Sequence, residues 1–517
     1  MGAGAGIAAL AMSPWTREPF AASPDPSEWD YRTIKELAAA LQARKISALE
    51  LTDHTIARIE RLDARINAVV VRDFERARDA AKAADDALSR GETRALLGVP
   101  MTVKEAFNIV GLPTSWGMPE SKDYMPKEDA AVVSRVKRAG AVILGKTNVP
   151  QSLSDWQTFN DVYGTTNNPW DLRRTPGGSS GGSAAALAAG FGALSIGSDL
   201  GGSLRAPAHY CGVYAHKPTL GLVPGRGHTA PRLPPIALDT ERVSVGPMTR
   251  SAGDLAVVLD LIAGPDEERA GIGYRLALPA PRHDDLKHFR VLVVDAHPLG
   301  PTASSVRVAL GRLSERLGRA GVAIAHESPL LPDLADSARL YVRLLSALWG
   351  AGLSPGDYAK AHKSARRFSP DDESLAAERA RGAVISHRDW IAADDARTLL
   401  WQQWSELFRE WDVVLCPPMP TPAFAHDHSP IERRRIQVDG KPYSYLDTQI
   451  LWPELAATPG LPATVAPIDR SETGLPIGVQ IIGPYLEDRT TIAFAELLER
   501  KFGGFAPPPG YADAPGK

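Results

Sequence analysis

The residues best suited to chemistry crowd into one stretch, 176–218. It holds Gly177-Gly178-Ser179-Ser180-Gly181-Gly182-Ser183 and, after an apolar run, Gly197-Ser198-Asp199-Leu200-Gly201-Gly202-Ser203-Leu204-Arg205. Hydroxyls set among glycines suit phosphate cradling or nucleophilic catalysis. A phosphate loop needs G-x-x-x-x-G-K-[ST]; Gly177 and Gly182 have that spacing, but Ser183 stands where the lysine should be. A dinucleotide fingerprint needs G-x-G-x-x-G between a strand and a helix, and neither cluster supplies it. Nucleophilic catalysis remains. The run 177–181 satisfies G-x-S-x-G, yet an elbow serine must terminate a strand, and 167–175 (NNPWDLRRT) is polar loop text. An elbow also needs a downstream histidine, and His209, His216, His426 and His428 come without supporting context.

Ser203 is better placed. The apolar run 192–198 delivers the chain to Asp199-Leu200-Gly201-Gly202, and Ser203 follows at once. Two glycines let the backbone curl tightly beside a bound carbonyl. The N–H groups of Leu200, Gly201, Gly202 and Ser203 are then the natural donors to an oxyanion, each typically worth about 3 to 4 kcal/mol of barrier. A serine hydroxyl still needs a base at neutral pH. No histidine has a clear claim, whereas a lysine serves where burial depresses its pKa.

The stretch 177–218 resembles the signature of the amidase signature family in its glycines and serines. The likeness extends to Leu96-Leu97-Gly98-Val99-Pro100 leading to Val103-Lys104, to Gly145-Lys146-Thr147-Asn148, and to Gly474-Leu475-Pro476-Ile477-Gly478-Val479-Gln480. It spans residues 30 to 500, with its motifs in order. The resemblance implies a Ser-cisSer-Lys triad with Ser203 as nucleophile, Ser179 as the bridging serine after a cis peptide, and Lys104 as the terminal base. It implies hydrolysis of carboxylic amide C–N bonds, as by an acylamide amidohydrolase, with no metal or organic cofactor. Esters and carbamates stay open, since one acyl-transfer machine can cleave all three. The alternative is an amidotransferase A-type subunit, which shares the triad but hydrolyses glutamine for a tRNA-dependent partner. Asp199, Arg205 and Ser180 are expected to brace the oxyanion turn. Trp156, Phe159 and Trp452 are expected either to wall a pocket for an apolar group or to pack in the core.

Helical periodicity marks 33–44, 47–62 and 72–89. Short apolar runs at 97–103, 141–145 and 192–198 then alternate with helical text at 130–139 and 183–189. Runs 291–295 and 322–325 flank a helix at 304–319, and strands return at 413–416 and 477–483. Strand alternating with helix predicts an α/β fold, a single α/β/α domain with a sheet covered by helices on both faces. The resemblance implies a large mixed central sheet. We divide the chain into a tail at 1–26, an amidase domain at 27–505 with a mostly helical, subgroup-specific segment at 333–409, and a Pro- and Gly-rich tail at 506–517 expected to be poorly ordered. The segment 225–242 also looks specific to this subgroup.

The remaining features are mainly exclusions. The chain has 517 residues, 44% hydrophobic and 23% charged, with a formal charge of -3. That balance offers no electrostatic footprint for nucleic acid. No apolar run approaches the roughly 18 residues of a membrane span. Cys211 and Cys416 cannot make a disulfide framework, and no His/Cys cluster has metal-ligand spacing. The expected partner is a small amide; a homodimer is compatible with it. Residues 2–12 (GAGAGIAALAM) read either as the apolar heart of an export leader lacking its basic start or as an Ala/Gly tail, which leaves cytoplasmic and periplasmic locations open.

Overall fold

A computed structural model of the chain describes residues 26–233 and 243–512. The expected tail, apart from Pro26, and the last nine residues of the 225–242 segment lie outside the described residues. The strands are β1 (Val69–Arg72), β2 (Pro100–Lys104), β3 (Val142–Thr147), β4 (Phe159–Asn160), β5 (Gly164–Thr165), β6 (Leu194–Asp199), β7 (Tyr214–Lys217), β8 (Ser244–Thr249), β9 (Arg290–Val293), β10 (Ala323–Ala325), β11 (Val413–Cys416), β12 (Arg435–Val438), β13 (Lys441–Ser444), β14 (Ala463–Arg470) and β15 (Pro476–Ile482). Two pairs, β4 with β5 and β12 with β13, are separate ribbons. The other eleven form one sheet in the order β1-β3-β2-β6-β8-β7-β14-β15-β11-β9-β10. It is mixed: β2 runs parallel to β3 and β6, and β9 to β10 and β11, while the other pairings are antiparallel.

The apolar runs became strands because both faces of this sheet are covered. β2, β3, β6 and β8 are buried along their whole length, and a strand covered on both faces reads as a continuous apolar run. The N-terminal helices Ile34–Gln42 and Ala48–Ile66 start at full capping boxes, Thr33 with Glu36 and Ser47 with Glu50. Each box satisfies orphan N–H groups at the helix start. The helix expected over 72–89 begins later, at Phe74, because Val69–Arg72 pairs with β3 as an edge strand.

The segment 333–409 is helical, with helices Leu334–Gly350, Pro355–Ala365, Leu375–Gly382 and His387–Glu410. Of the tail at 506–517, residues 506–512 are described. Tyr511 is buried, and its carbonyl accepts from Arg58 Nη2 at 2.6 Å and Tyr31 Oη at 2.8 Å. A buried guanidinium needs acceptors, and this backbone supplies one.

Candidate active site

β2 lies between β3 and β6, with Lys104 opposite Thr147 and Val103 opposite Ile196. The strand ends at Lys104, so its side chain emerges at the carboxyl edge of a parallel segment, where α/β sheets commonly place ligand sites. It does not reach solvent: Lys104 is fully buried. Its Nζ donates to Ser179 Oγ at 2.7 Å and to Ser198 Oγ at 3.0 Å. Burial pulls the amine down to about 7, against the opposing pull of Asp199.

Ser179 sits in the turn leading into the helix Gly181–Ala188, and the Gly178–Ser179 peptide is cis. This helix (GGSAAALA) is buried at every residue, and its small side chains let it pack against β2, β3, β6 and β8. The turn has no room for larger residues. A Cβ on Gly178 would lie 2.3 Å from the Asp155 carbonyl oxygen and 3.0 Å from the Gln157 backbone. Gly178→Ala should therefore displace Ser179 and cost activity well beyond its effect on thermal midpoint, checked by kinetics and calorimetry together. Ser180 binds the two glycine-rich turns together: its N–H donates to the Ser203 carbonyl at 3.1 Å and its Oγ to the Ser198 carbonyl at 3.3 Å.

The turn after β6 is organised by Asp199. Its carboxylate accepts from Arg205 Nη2 at 2.8 Å and Nε at 3.0 Å, from Gly202 N–H at 2.9 Å and from Leu204 N–H at 3.0 Å. Burial alone would raise Asp199, but the Arg205 guanidinium holds it well below the usual carboxylate range. Arg205 also donates to the Pro453 carbonyl and Gln480 Oε1. Gly202 has φ of 97°, which favours glycine. One expectation needs correcting here. Gly202 N–H is committed to the Asp199 carboxylate, a local hydrogen bond that aspartate readily makes, so it is not a free oxyanion donor. The N–H groups of Leu200, Gly201 and Ser203 have no backbone acceptor among the described residues.

Ser179, Ser198 and Ser203 line one cavity of about 330 Å³. Ser203 is half-buried, and Trp156 shares the lining, with its Nε1–H donating to the Gly201 carbonyl at 2.8 Å. Phe159 and Trp452 lie outside the lining. Phe159 stacks on His428 at 4.0 Å. Trp452 is fully buried in a core cluster and donates to Thr302 Oγ1 at 2.9 Å. It packs as core because its indole N–H finds its acceptor inside. A larger cavity of about 810 Å³ lies between Ala303–Arg312 and the β12–β13 ribbon, and is lined by none of the three serines.

The histidines left open by the elbow alternative are elsewhere. His209 is held by Gly478 N–H and the Thr421 carbonyl, and His216 by Thr464 and Asp488. His426 lines the larger cavity. The sequence reading missed Ser198, whose hydroxyl faces Lys104, and it missed the far wall. That wall includes Leu345, Leu348 and Trp349 of Leu334–Gly350. With Tyr341 these positions form one helical stripe, at i, i+4, i+7 and i+8, a pattern visible in the text of 333–409. Trp116 also lines the cavity; its N–H is held by Glu105 Oε2 at 2.9 Å. Among the described residues no group of three His, Cys, Asp or Glu side chains could hold a metal ion, and no helix is long and apolar enough to cross a membrane.

Comparison with known proteins gives consistent relatives. The family model described as Amidase matches residues 50–492. The A-type subunit of the glutamyl-tRNA(Gln) amidotransferase of Anaeromyxobacter sp. (strain K) is 33% identical over 92% of this chain and 97% of its own. Human fatty-acid amide hydrolase 2 is 31% identical over 92% of this chain and 89% of its own. Among solved structures, an amidase superposes with a TM-score of 0.72 at 29% identity, covering 91% of this chain and 100% of that one. A bacterial aryl acylamidase shares the fold, with a TM-score of 0.76 at 24% identity over 94% and 98%.

Proposed function

The chain belongs to the amidase family, and from that premise we propose that it is an acylamide amidohydrolase that cleaves carboxylic amide C–N bonds through an acyl-enzyme on Ser203. The observation that carries this reading is the buried Lys104 amine, 2.7 Å from Ser179 Oγ, beneath the cavity that Ser179 and Ser203 both line. With Lys104 neutral, Ser203 gives its proton to Ser179 Oγ while Ser179 gives its own to Lys104 Nζ. Ser203 Oγ bonds to the amide carbonyl carbon, and the carbonyl electron pair moves onto oxygen, toward the N–H groups of Leu200, Gly201 and Ser203. Collapse of that intermediate breaks the C–N bond, and the proton returns through Ser179 to the departing nitrogen. Water then adds to the acyl-enzyme by the same relay and releases the carboxylate. Only protein groups act, so a chelator should leave the rate unchanged; loss restored by zinc would refute the scheme.

The lining narrows the substrate. Leu153, Trp156, Leu345, Leu348, Trp349 and Ile450 make most of the wall apolar, and no arginine or lysine lines it among the described residues. Glutamine would bring a carboxylate and an ammonium. Asp155, the acid in the lining, is already tied to Arg434 and Tyr445. This supports a neutral amide with an aryl or alkyl group over the glutamine hydrolysis of the amidotransferase relatives. The purified chain assayed alone on aryl amides, aliphatic amides, esters, carbamates and glutamine tests it. Each buried methylene is worth about 0.8 kcal/mol, so kcat/KM should climb about fourfold per carbon until the cavity fills. A preference for glutamine, or activity only with a partner protein, would favour the amidotransferase reading.

A further inference from the structure

We propose that Tyr341 is a positioning residue for the oxyanion turn, linking the wall that meets the substrate's apolar group to the peptide that meets its carbonyl oxygen. This rests on the Ser203 acyl-enzyme reading above. Tyr341 lies within the helix Leu334–Gly350, is 5% exposed, and donates its hydroxyl to the Leu200 carbonyl at 2.8 Å. That carbonyl and the Gly201 N–H are opposite ends of one planar trans peptide. Holding the carbonyl therefore aims the N–H the other way, and polarising the carbonyl strengthens that donor. The following peptide is held at both ends, its carbonyl by Trp156 Nε1 and its N–H by Asp199. The Leu200–Gly201 peptide is held at its carbonyl, and its N–H has no backbone acceptor among the described residues.

The close approach is permitted by Gly201, where a Cβ would lie 3.1 Å from the Tyr341 hydroxyl. The same helix carries Leu345 and Leu348 into the cavity wall. It is also fixed one turn earlier, where Ser337 Oγ donates to Glu454 Oε2 at 2.7 Å. One rigid element thus touches both the apolar end of the substrate site and the oxyanion peptide.

The test is Tyr341→Phe, which keeps the ring and removes the hydroxyl. A neutral hydrogen bond is worth about 0.5 to 1.5 kcal/mol, so kcat should fall about two- to twelvefold. Affinity for a boronic acid that mimics the oxyanion should fall by the same factor. Binding of an alcohol carrying the same apolar group should stay within twofold, and the pH midpoint of kcat/KM should not move. Titrating active sites with a fluorophosphonate corrects for any unfolded fraction. Unchanged boronate affinity, or equal losses for boronate and alcohol, would overturn the proposal. A wild-type enzyme that takes no fluorophosphonate on Ser203 would instead remove the acyl-enzyme reading beneath it.

Discussion

Ser203→Ala should lower amide turnover by a factor on the order of 10⁴ to 10⁶, the scale seen when a serine nucleophile is removed, while leaving the fold in place. Alanine keeps the Cβ and the backbone carbonyl that accepts from Ser180 N–H. The Asp199–Arg205 brace uses no Ser203 side-chain atom. The cavity and its N–H groups survive, so inhibitor affinity should change only a few-fold and the thermal midpoint by a degree or two. In the wild type, a fluorophosphonate should modify Ser203, read by peptide mass spectrometry. An adduct on Ser179 would restore the nucleophile-elbow alternative, and substantial turnover by Ser203→Ala would remove Ser203 from the mechanism.

The second large effect is on pH. Lys104 must be neutral to accept a proton, and burial brings it from its usual value near 10.5 to about 7. Below that midpoint kcat/KM should fall tenfold per pH unit; above it the profile should be flat. Lys104→Met, close to isosteric and always neutral, should lose most of the rate and the limb together. Lys104→Arg should not rescue, since guanidinium stays protonated. Stability moves in the same sense as for any group whose pKa the fold depresses. Between pH 7 and 10.5 the unfolded chain holds a proton that the folded chain has released, so wild-type stability gains with rising pH across that window. Lys104→Met should remove that gain.

Burial takes His209 to about 4 and His228 to about 3, so neither of these two accounts for a midpoint near 7. Lys217 and Lys146 are brought by burial to about 7 and about 8. Their amines rest on Pro218 and Ser244, and on Pro113 and Thr114, rather than on Ser179. If Lys104→Met keeps the wild-type midpoint and amplitude, a group other than Lys104 is the base.

The α/β alternation was legible because its cause is local. Strands covered on both faces must be apolar throughout, and surface helices must show a 3.6-residue period with caps such as Ser47 and Glu50. The strands of the main sheet that were missed, Val69–Arg72, Tyr214–Lys217, Ser244–Thr249 and Ala463–Arg470, are short or carry polar text. They exist because distant partners pair with them, as Thr464 does with His216. Trp452 shows the same limit: its size says it is buried, but only the fold says it is buried against Thr302 and not the cavity.

For the site, the sequence by itself determined the chemical inventory: hydroxyls among glycines, an acid beside an arginine, and a lysine at the end of an apolar run. Those follow from residue type and spacing. Tertiary structure decided which of them meet and in what protonation state. Lys104 reaches Ser179 across 75 residues of chain. Its depressed pKa exists only because the fold removes water from around it. Gly202 N–H was withdrawn from the oxyanion donors by a carboxylate three residues away, and Tyr341 was brought to Leu200 from 141 residues on. Hydrogen bonds depend on distance and direction in space, and desolvation on the surrounding packing; neither is a property of position along the chain.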